Sequence, residues 1–270
     1  MKRFFSLIGI VAALVGPHGR VVVAQCQRQK LRIDAVDVNG EAVAIDGNVA
    51  VVGAGRKPGV VYVYRLLGGR WVEEQILSSA DKDGQFFGRS VSVSGDVIVV
   101  GDSFAGPKAS AGTAYVFRDT GDGWTQETKL IPADLDFDDT FGISVAISGD
   151  VIVVGADRDD DMGSESGSAY VFRFNGFDWV EEAKLVASDG AAGDGFGSSV
   201  AADGNLIVVG ASRHDDVGSE SGAAYAFGYD GSSWVEERKL SPSDGEAGDL
   251  FGYSVSASGD WAFVGSFRHP

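Results

Sequence analysis

The chain is poor in the residues that several classes of function require. It has one cysteine, so an internal disulfide cannot form and a cysteine-rich zinc site is excluded. Basic residues number 22 against 39 acidic ones, and the net charge of −17 disfavours nucleic acid and anionic membrane surfaces as partners. Prolines number 6 against 39 glycines, which follow no three-residue period and therefore indicate many tight turns.

Long hydrophobic runs are also scarce. The apolar run 4–15 follows a basic start, and at about 1.5 Å per residue it is too short for a hydrocarbon core of about 30 Å. With the small residue Ala24, this pattern predicts a secretory signal peptide over 1–24 and a mature chain over 25–270, without a membrane span, that is secreted or displayed at the cell surface. A lipid anchor on Cys26 is disfavoured because a glutamine, rather than a small residue, precedes it.

The rest of the chain is an internal repeat. Phe-Gly pairs recur at spacings of 54, 55 and 55 residues, at Phe87, Phe141, Phe196 and Phe251. Tryptophans follow the same period at Trp71, Trp124, Trp179 and Trp234. A weaker first copy starts at Gly40, so the predicted units are 40–86, 87–140, 141–195, 196–250 and a partial 251–270. We expect the recurring aromatic side chains to pack between neighbouring units rather than to bind ligand.

Each unit contains four segments with the pattern of short β-strands. In one unit, residues 144–148 alternate polar and apolar side chains, and a Ser-Gly-Asp turn leads to the continuously apolar 151–154. Residues 167–172 and the charged 179–185 follow, and no segment shows a sustained helical period. Four-stranded antiparallel units of this length predict an all-β β-propeller with four complete blades and a partial fifth; a stacked β-solenoid is the alternative.

The partial fifth unit leaves the closure of the propeller open. Residues 27–31 resemble the end of a fourth strand, so a five-bladed ring would take an outer strand from the N-terminal segment; otherwise the chain is part of a larger propeller. Residues 261–264 lack a covering third strand, and an open apolar edge recruits other chains. We therefore predict either ring closure near 27–31 or self-association through this edge. Trp261, which replaces the usual valine of a second strand, is expected to pack between blades like the other tryptophans.

Over about residues 40–265 the chain resembles the FG-GAP repeat family. The resemblance lies in the recurring motifs Phe-Gly-x-Ser-Val, Ser-Gly-Asp, Ile-Val-Val-Gly-Ala, Gly-Ser-Ala-Tyr-Val-Phe and Trp. That family is similar to the N-terminal propeller of integrin α chains. The resemblance implies a propeller, typically of about seven blades, in secreted or surface proteins that bind ligands or mediate adhesion. The chain has fewer units than that. The long calcium loop of integrin-like repeats has also shrunk to a Ser-Gly-Asp turn, so the resemblance does not extend to the integrin calcium site.

Two acidic loops are candidates for a metal site. The candidate ligands are Asp134, Asp136 and Asp138 before one Phe-Gly pair, and Asp157, Asp159 and Asp161 between a second and a third strand. Alternating aspartates place carboxylates on one side of a loop, as calcium requires. Neither loop has a glycine at the sixth position or a distal glutamate, so we favour solvated or turn-capping aspartates and keep calcium as the alternative.

No arrangement typical of nucleophilic catalysis is present. No Gly-x-Ser-x-Gly elbow surrounds a serine, and His214, beside two aspartates, is interpreted as a solvated loop residue. We therefore predict no catalytic residue, no cofactor, and an exported non-enzymatic propeller that binds an extracellular protein or glycan. The alternatives are a kelch-like carbohydrate-active enzyme, disfavoured because the loops hold few copper ligands, and a calcium-stiffened structural surface module.

Overall fold

A computed structural model describes residues 40–56, 59–79, 86–106, 108 and 110–268. Within these residues the chain forms four four-stranded antiparallel sheets and one two-stranded sheet, and it contains no helix. The predicted all-β propeller fold, with four blades and a partial fifth, is confirmed. The predicted signal peptide (1–24) and outer strand (27–31) lie outside the described residues.

The strands of each blade pair in chain order. Blade 1 contains β1 (Ala42–Asp46), β2 (Val49–Ala54), β3 (Val60–Leu67) and β4 (Arg70–Leu77). Blade 2 contains β5 (Ser90–Ser94), β6 (Val97–Asp102), β7 (Thr113–Asp119) and β8 (Trp124–Leu130). Blade 3 contains β9 (Ser144–Ser148), β10 (Val151–Ala156), β11 (Ser168–Phe174) and β12 (Trp179–Leu185). Blade 4 contains β13 (Phe196–Asp203), β14 (Leu206–Ala211), β15 (Ala223–Tyr229) and β16 (Trp234–Leu240). The described part of blade 5 contains β17 (Ser254–Ser258) and β18 (Trp261–Gly265).

The local sequence explains the hairpins. In blade 3 the alternating β9 pairs with the apolar β10, so that Val145 lies opposite Val154. The turn between them places Gly149 at φ +58°, a conformation that glycine adopts without steric cost. The second strand is buried along its whole length because a neighbouring blade covers each of its faces.

The first strands of successive blades lie side by side in the order β1, β5, β9, β13 and β17. Backbone N–H groups in the hairpin turns tie each blade to the one before it. The amide of Gly149 donates to Ser94 Oγ at 3.2 Å, and the amide of Gly204 donates to Ser148 Oγ at 3.0 Å. These contacts align the inner strands of the propeller.

A seam is the apolar layer between two consecutive blades, and the Phe-Gly phenylalanine fills it. Phe196, at the seam between blades 3 and 4, is buried and meets the rings of Tyr225 and Phe227 edge to face at centroid distances of 5.4 and 6.0 Å. On the other side of this seam lie residues of blade 3 such as Val153 and Leu185. Trp234 is buried in the same seam, and its indole N–H donates to Glu182 of blade 3 at 2.9 Å.

The recurring glycines allow blades to approach each other closely. A Cβ atom at Gly210 would lie 2.0 Å from the carbonyl oxygen of Gly252, which belongs to the Phe-Gly pair of the next blade. A Cβ at Gly167 would lie 2.0 Å from the carbonyl oxygen of Phe196. The second-strand glycine and the glycine before the third strand are therefore requirements of the seam, and this accounts for two landmarks of the repeat.

The two end faces of the described blades do not cover each other. Val43 and Ile45 of β1 are exposed, and so are Trp261 and Phe263 of β18. The described blades consequently form an open arc. Trp261 lies on the face that a following blade would cover and is 72% exposed, so the described residues do not supply the packing between blades that was expected of it.

Candidate functional site

The longer connections of the blades gather at one end of the arc, which we call the loop end. It comprises the connections between second and third strands (157–167 and 212–222) and those between consecutive blades (131–143 and 186–195). The opposite end carries the short hairpin turns. Consecutive strands of a blade are antiparallel, so the chain reverses direction at every connection. The connection from the second to the third strand and the connection to the next blade therefore lie at one end, and the two hairpin turns lie at the other.

Lys184 stands at the centre of a charged cluster at the loop end. Its ammonium lies 2.7 Å from Asp134, 3.1 Å from Asp159 and 2.5 Å from Asp161. The hydroxyl of Tyr170 donates to Asp159 Oδ2 at 2.7 Å, and its oxygen also lies 3.1 Å from Asp134 Oδ1. Lys184 Nζ also lies 5.0 Å from the centre of the Tyr170 ring. The cluster therefore ties blade 3 to the connection that follows blade 2.

The pKa shifts in this cluster follow from burial and pairing. Burial disfavours the charged form of Lys184, but its hydrogen bonds to the three aspartates outweigh that effect and raise its pKa. Burial and then the bond to Asp159 raise the pKa of Tyr170 well above its usual range. For Asp134, desolvation is outweighed by Lys184, and the pKa is lowered. At neutral pH the lysine is an ammonium and the tyrosine is a neutral hydrogen-bond donor.

The next seam repeats this arrangement with one change. Tyr225 donates to Asp189 at 2.7 Å, and the ammonium of Lys239 lies 2.8 Å from both Asp189 and Asp216. His214 occupies the position that Asp159 holds in the preceding blade. It is buried, with Nε2 3.8 Å from the nearer Asp189 oxygen. The interpretation of His214 as a solvated loop residue is therefore wrong.

The six candidate metal ligands are only partly brought together. Asp134, Asp159 and Asp161 converge on Lys184. The others are paired separately: Asp136 with Lys108 at 2.9 Å, Asp138 with Arg158 at 3.2 Å, and Asp157 with the Thr140 hydroxyl at 2.6 Å. Among the described residues, no group of three or more acidic or histidine side chains is arranged to hold a metal ion. Solvated or turn-capping aspartates stay the prediction, with calcium as the alternative.

The surface of the loop end is acidic with exposed apolar side chains. Asp160 and Asp215 stiffen equivalent loops by accepting hydrogen bonds from the amides of Glu165 and Glu220 at 2.8 and 2.7 Å. The exposed apolar side chains on these connections are Ile131, Phe137, Met162 and Val217. The exposed acidic ones include Asp136, Asp138, Asp160, Asp215 and Glu220. This combination suits a partner that carries basic and apolar groups.

Sequence reasoning missed the lysine–tyrosine clusters, although a signal was present. A tyrosine occurs in the third strand, and a lysine directly precedes the last leucine of the fourth strand, in each of blades 2 to 4. The lysines resemble ordinary outer-strand charges. Their role depends on aspartates that lie about 25 or 50 residues before them in the chain.

The blades define a propeller-type repeat protein whose longer connections lie at one end. The family model of the FG-GAP repeat matches residues 71–117, 124–172, 179–227 and 234–269, and the chain belongs to the FG-GAP repeat family. Each match begins at the tryptophan of a fourth strand and continues into the next blade, so the family unit spans a seam. None of the curated proteins compared with the chain matches it.

Membership of this family supports three general statements. FG-GAP repeats form binding modules, they occur in extracellular proteins, and the family is generally non-enzymatic. The described residues contain no helix with the length and hydrophobicity needed to cross a bilayer.

Proposed function

We propose that the chain is an exported, non-enzymatic binding module that takes an extracellular protein ligand at its loop end and acts in adhesion. The observation that carries this proposal is the set of exposed apolar side chains, Phe137, Met162 and Val217, on rigid acidic loops. Exposed apolar groups within a polar surround are typical of interaction sites. A glycan is the alternative ligand class.

Charge favours a ligand with basic groups. The net charge of −17 is reflected at the loop end in exposed aspartates and glutamates, several of which have no lysine or arginine partner among the described ion pairs. Long-range attraction would speed the encounter with a basic partner, and salt would weaken it. The calcium-stiffened alternative has less support, because the ammonium of Lys184 already lies among Asp134, Asp159 and Asp161, the three candidate ligands that come together.

A protein and glycan array probed with the mature chain 25–270 would identify the ligand. Binding of that ligand is then measured for the double variant Phe137→Ala/Val217→Ala and for the control Phe177→Ala. Phe177 is also exposed, but it lies in a hairpin turn at the opposite end. We expect the double variant to bind at least about tenfold more weakly and the control to bind normally.

Equal losses in both variants, or losses only in Phe177→Ala, would place the binding surface elsewhere. The proposed export is tested separately from ligand binding. Sequencing of secreted protein should start at Gln25, and retention of Met1 would contradict it.

A further inference from the structure

One outer hairpin turn of blade 3 begins with an asparagine followed by a glycine. The turn 175–178 joins β11 to β12 and opens with Asn175 and Gly176. The amide of Asn175 donates to the carbonyl oxygen of Asp178 at 3.0 Å and closes the hairpin. Gly176 and Phe177 are exposed, so water reaches the backbone at this point. The turn lies at the end of the arc opposite the loop end.

The hydrogen bonds of this turn polarise the side-chain carbonyl of Asn175. Its Oδ1 accepts bonds from the amides of Phe177 at 2.9 Å and Asp178 at 3.0 Å. Two backbone N–H groups directed at one carbonyl oxygen stabilise the negative charge that develops there when a nucleophile adds to the carbon. The turn therefore favours addition of a nucleophile to Cγ of Asn175.

The backbone nitrogen of Gly176 is a nucleophile within the same dipeptide. It is bonded to the carbonyl carbon of Asn175, so its addition to Cγ closes a cyclic imide. A ring closure within one chain avoids the entropy cost of bringing two molecules together. The N–H of Gly176 donates to no described residue, and the glycine carries no Cβ atom that would hinder the approach.

We propose that Asn175 is a site of self-modification, at which the folded protein converts this asparagine into aspartate and isoaspartate with loss of ammonia. The Gly176 nitrogen bonds to Cγ and the bond from Cγ to Nδ2 breaks. Nδ2 takes up the proton of the Gly176 amide and leaves as ammonia. Water then opens the cyclic imide: its hydroxyl adds to one of the two carbonyl carbons, and its proton returns to the nitrogen. Opening at Cγ gives aspartate, and opening at the backbone carbon gives isoaspartate. The ligand proposed for the loop end is not involved.

The equivalent turn of blade 4 shows that an aspartate fits this position. Asp230 and Gly231 open that turn, and the φ angle of Gly231 is +98°, against +97° for Gly176. The carboxylate of Asp230 accepts bonds from the amides of Ser232 and Ser233, both at 2.8 Å. The bond from the Ser233 amide and those from Ser232 lower the pKa of Asp230 to about 2. An aspartate formed in the blade 3 turn would meet the same pair of amide donors.

The isoaspartate product does not fit the turn. It places the former side-chain methylene in the main chain, so the connection between β11 and β12 becomes one atom longer. The amides of Phe177 and Asp178 lose the acceptor that the present turn holds in place. We therefore expect this product to loosen the end of the hairpin, where Phe174 pairs with Trp179. Both products add a negative charge to a chain whose net charge is already −17.

Incubation of the folded mature chain 25–270 at mildly alkaline pH tests the proposal. We expect ammonia to be released and the peptide that contains Asn175 to gain the mass that separates an acid from an amide. Methylation by an isoaspartate-specific methyltransferase identifies the isoaspartate fraction. Asn175→Asp keeps the turn and should abolish the change in this peptide. Circular dichroism during the incubation verifies that the protein stays folded.

Asp230→Asn provides the matched variant, because it places an amide in the equivalent turn of blade 4. We expect conversion there at a rate within several-fold of that at Asn175. Asn48 and Asn205 precede a valine and a leucine in hairpin turns and should react at least several-fold more slowly. Asn39 also precedes a glycine but lies outside the described residues, and it is followed in a separate peptide.

Three results would overturn the proposal. The first is an Asn175 that stays intact in the folded protein and converts only after the chain is unfolded. The second is conversion of Asn48 and Asn205 as fast as that of Asn175, because the glycine turn would then have no effect. The third is an Asp230→Asn variant whose new amide is inert, because the geometry of the turn would then not promote the reaction.

Discussion

Blades 4 and 5 begin with similar sequences and reach different degrees of burial. Both start with Phe-Gly and contain a first-strand hairpin, and β17 pairs with β18 in the register seen elsewhere. In blade 4, Phe196 is buried against Tyr225 and Phe227 of its own third strand. In blade 5, Phe251 is only half-buried, and the described residues contain no third strand to cover it. The hairpin is a local product of the sequence, whereas burial requires the rest of the blade.

The largest expected effect concerns the two phenylalanines. Phe196→Ala should lower the free energy of unfolding by about 3–5 kcal/mol, because it removes a fully buried ring from a close-packed seam. Phe251→Ala should cost no more than about half of that, because its ring is already partly in water. Urea unfolding monitored by tryptophan fluorescence measures both losses. Equal losses would show that blade 5 is as well covered as blade 4.

The second prediction compares two equivalent glycines. Gly210→Ala should destabilise the protein by about 1–3 kcal/mol, since the new Cβ would meet the Gly252 carbonyl oxygen at 2.0 Å. At Gly265 no following blade is present in the described residues, and the nearest atom, Ser254 Oγ at 2.6 Å, belongs to a side chain that rotates away. Gly265→Ala should therefore cost less. Thermal unfolding of the two variants provides the comparison, and a larger loss at Gly265 would contradict it.

The third prediction concerns a contact that blade 4 makes and the described part of blade 5 lacks. Lys239→Met removes the ammonium between Asp189 and Asp216 and should cost about 0.5–1 kcal/mol at neutral pH, as for partly exposed ion pairs. Lys184→Met should cost more, because Asp159 in its cluster is buried. Denaturant unfolding of both variants checks this order.

The pH dependence of the Lys239→Met effect follows from the direction of each pKa shift. Although burial opposes it, pairing with Asp189 and Asp216 raises the pKa of Lys239, so its contribution is complete below about pH 10.5 and is lost at higher pH. The pKa values of Asp189 and Asp216 are lowered, so their contribution is present above about pH 4 and is lost as the pH falls further. The difference between variant and unmodified protein should be largest between these limits. A pH-independent difference would indicate lost packing rather than lost charge.

Much of the fold was predictable because its determinants are local. Alternation in segments such as 144–148, glycine in the turns and continuous apolar second strands specify hairpins within a few residues of one another. The period of the Phe-Gly pairs and tryptophans then indicates repeated blades, and the structure places Phe196 and Trp234 in a seam as expected. The hairpin also forms in blade 5, where little tertiary packing supports it.

The site was less predictable because its contacts cross seams. By itself, the sequence determined the repeat, the strands and the propeller class, since these depend on period and turn chemistry. Only the tertiary structure decided that Lys184 pairs with Asp134, 50 residues before it, that His214 is buried, and that Trp261 is exposed. The physical reason is common to all three. The surroundings of a side chain on a blade face are formed by the neighbouring blade. The sequence of the residue's own segment therefore does not determine whether that side chain is buried.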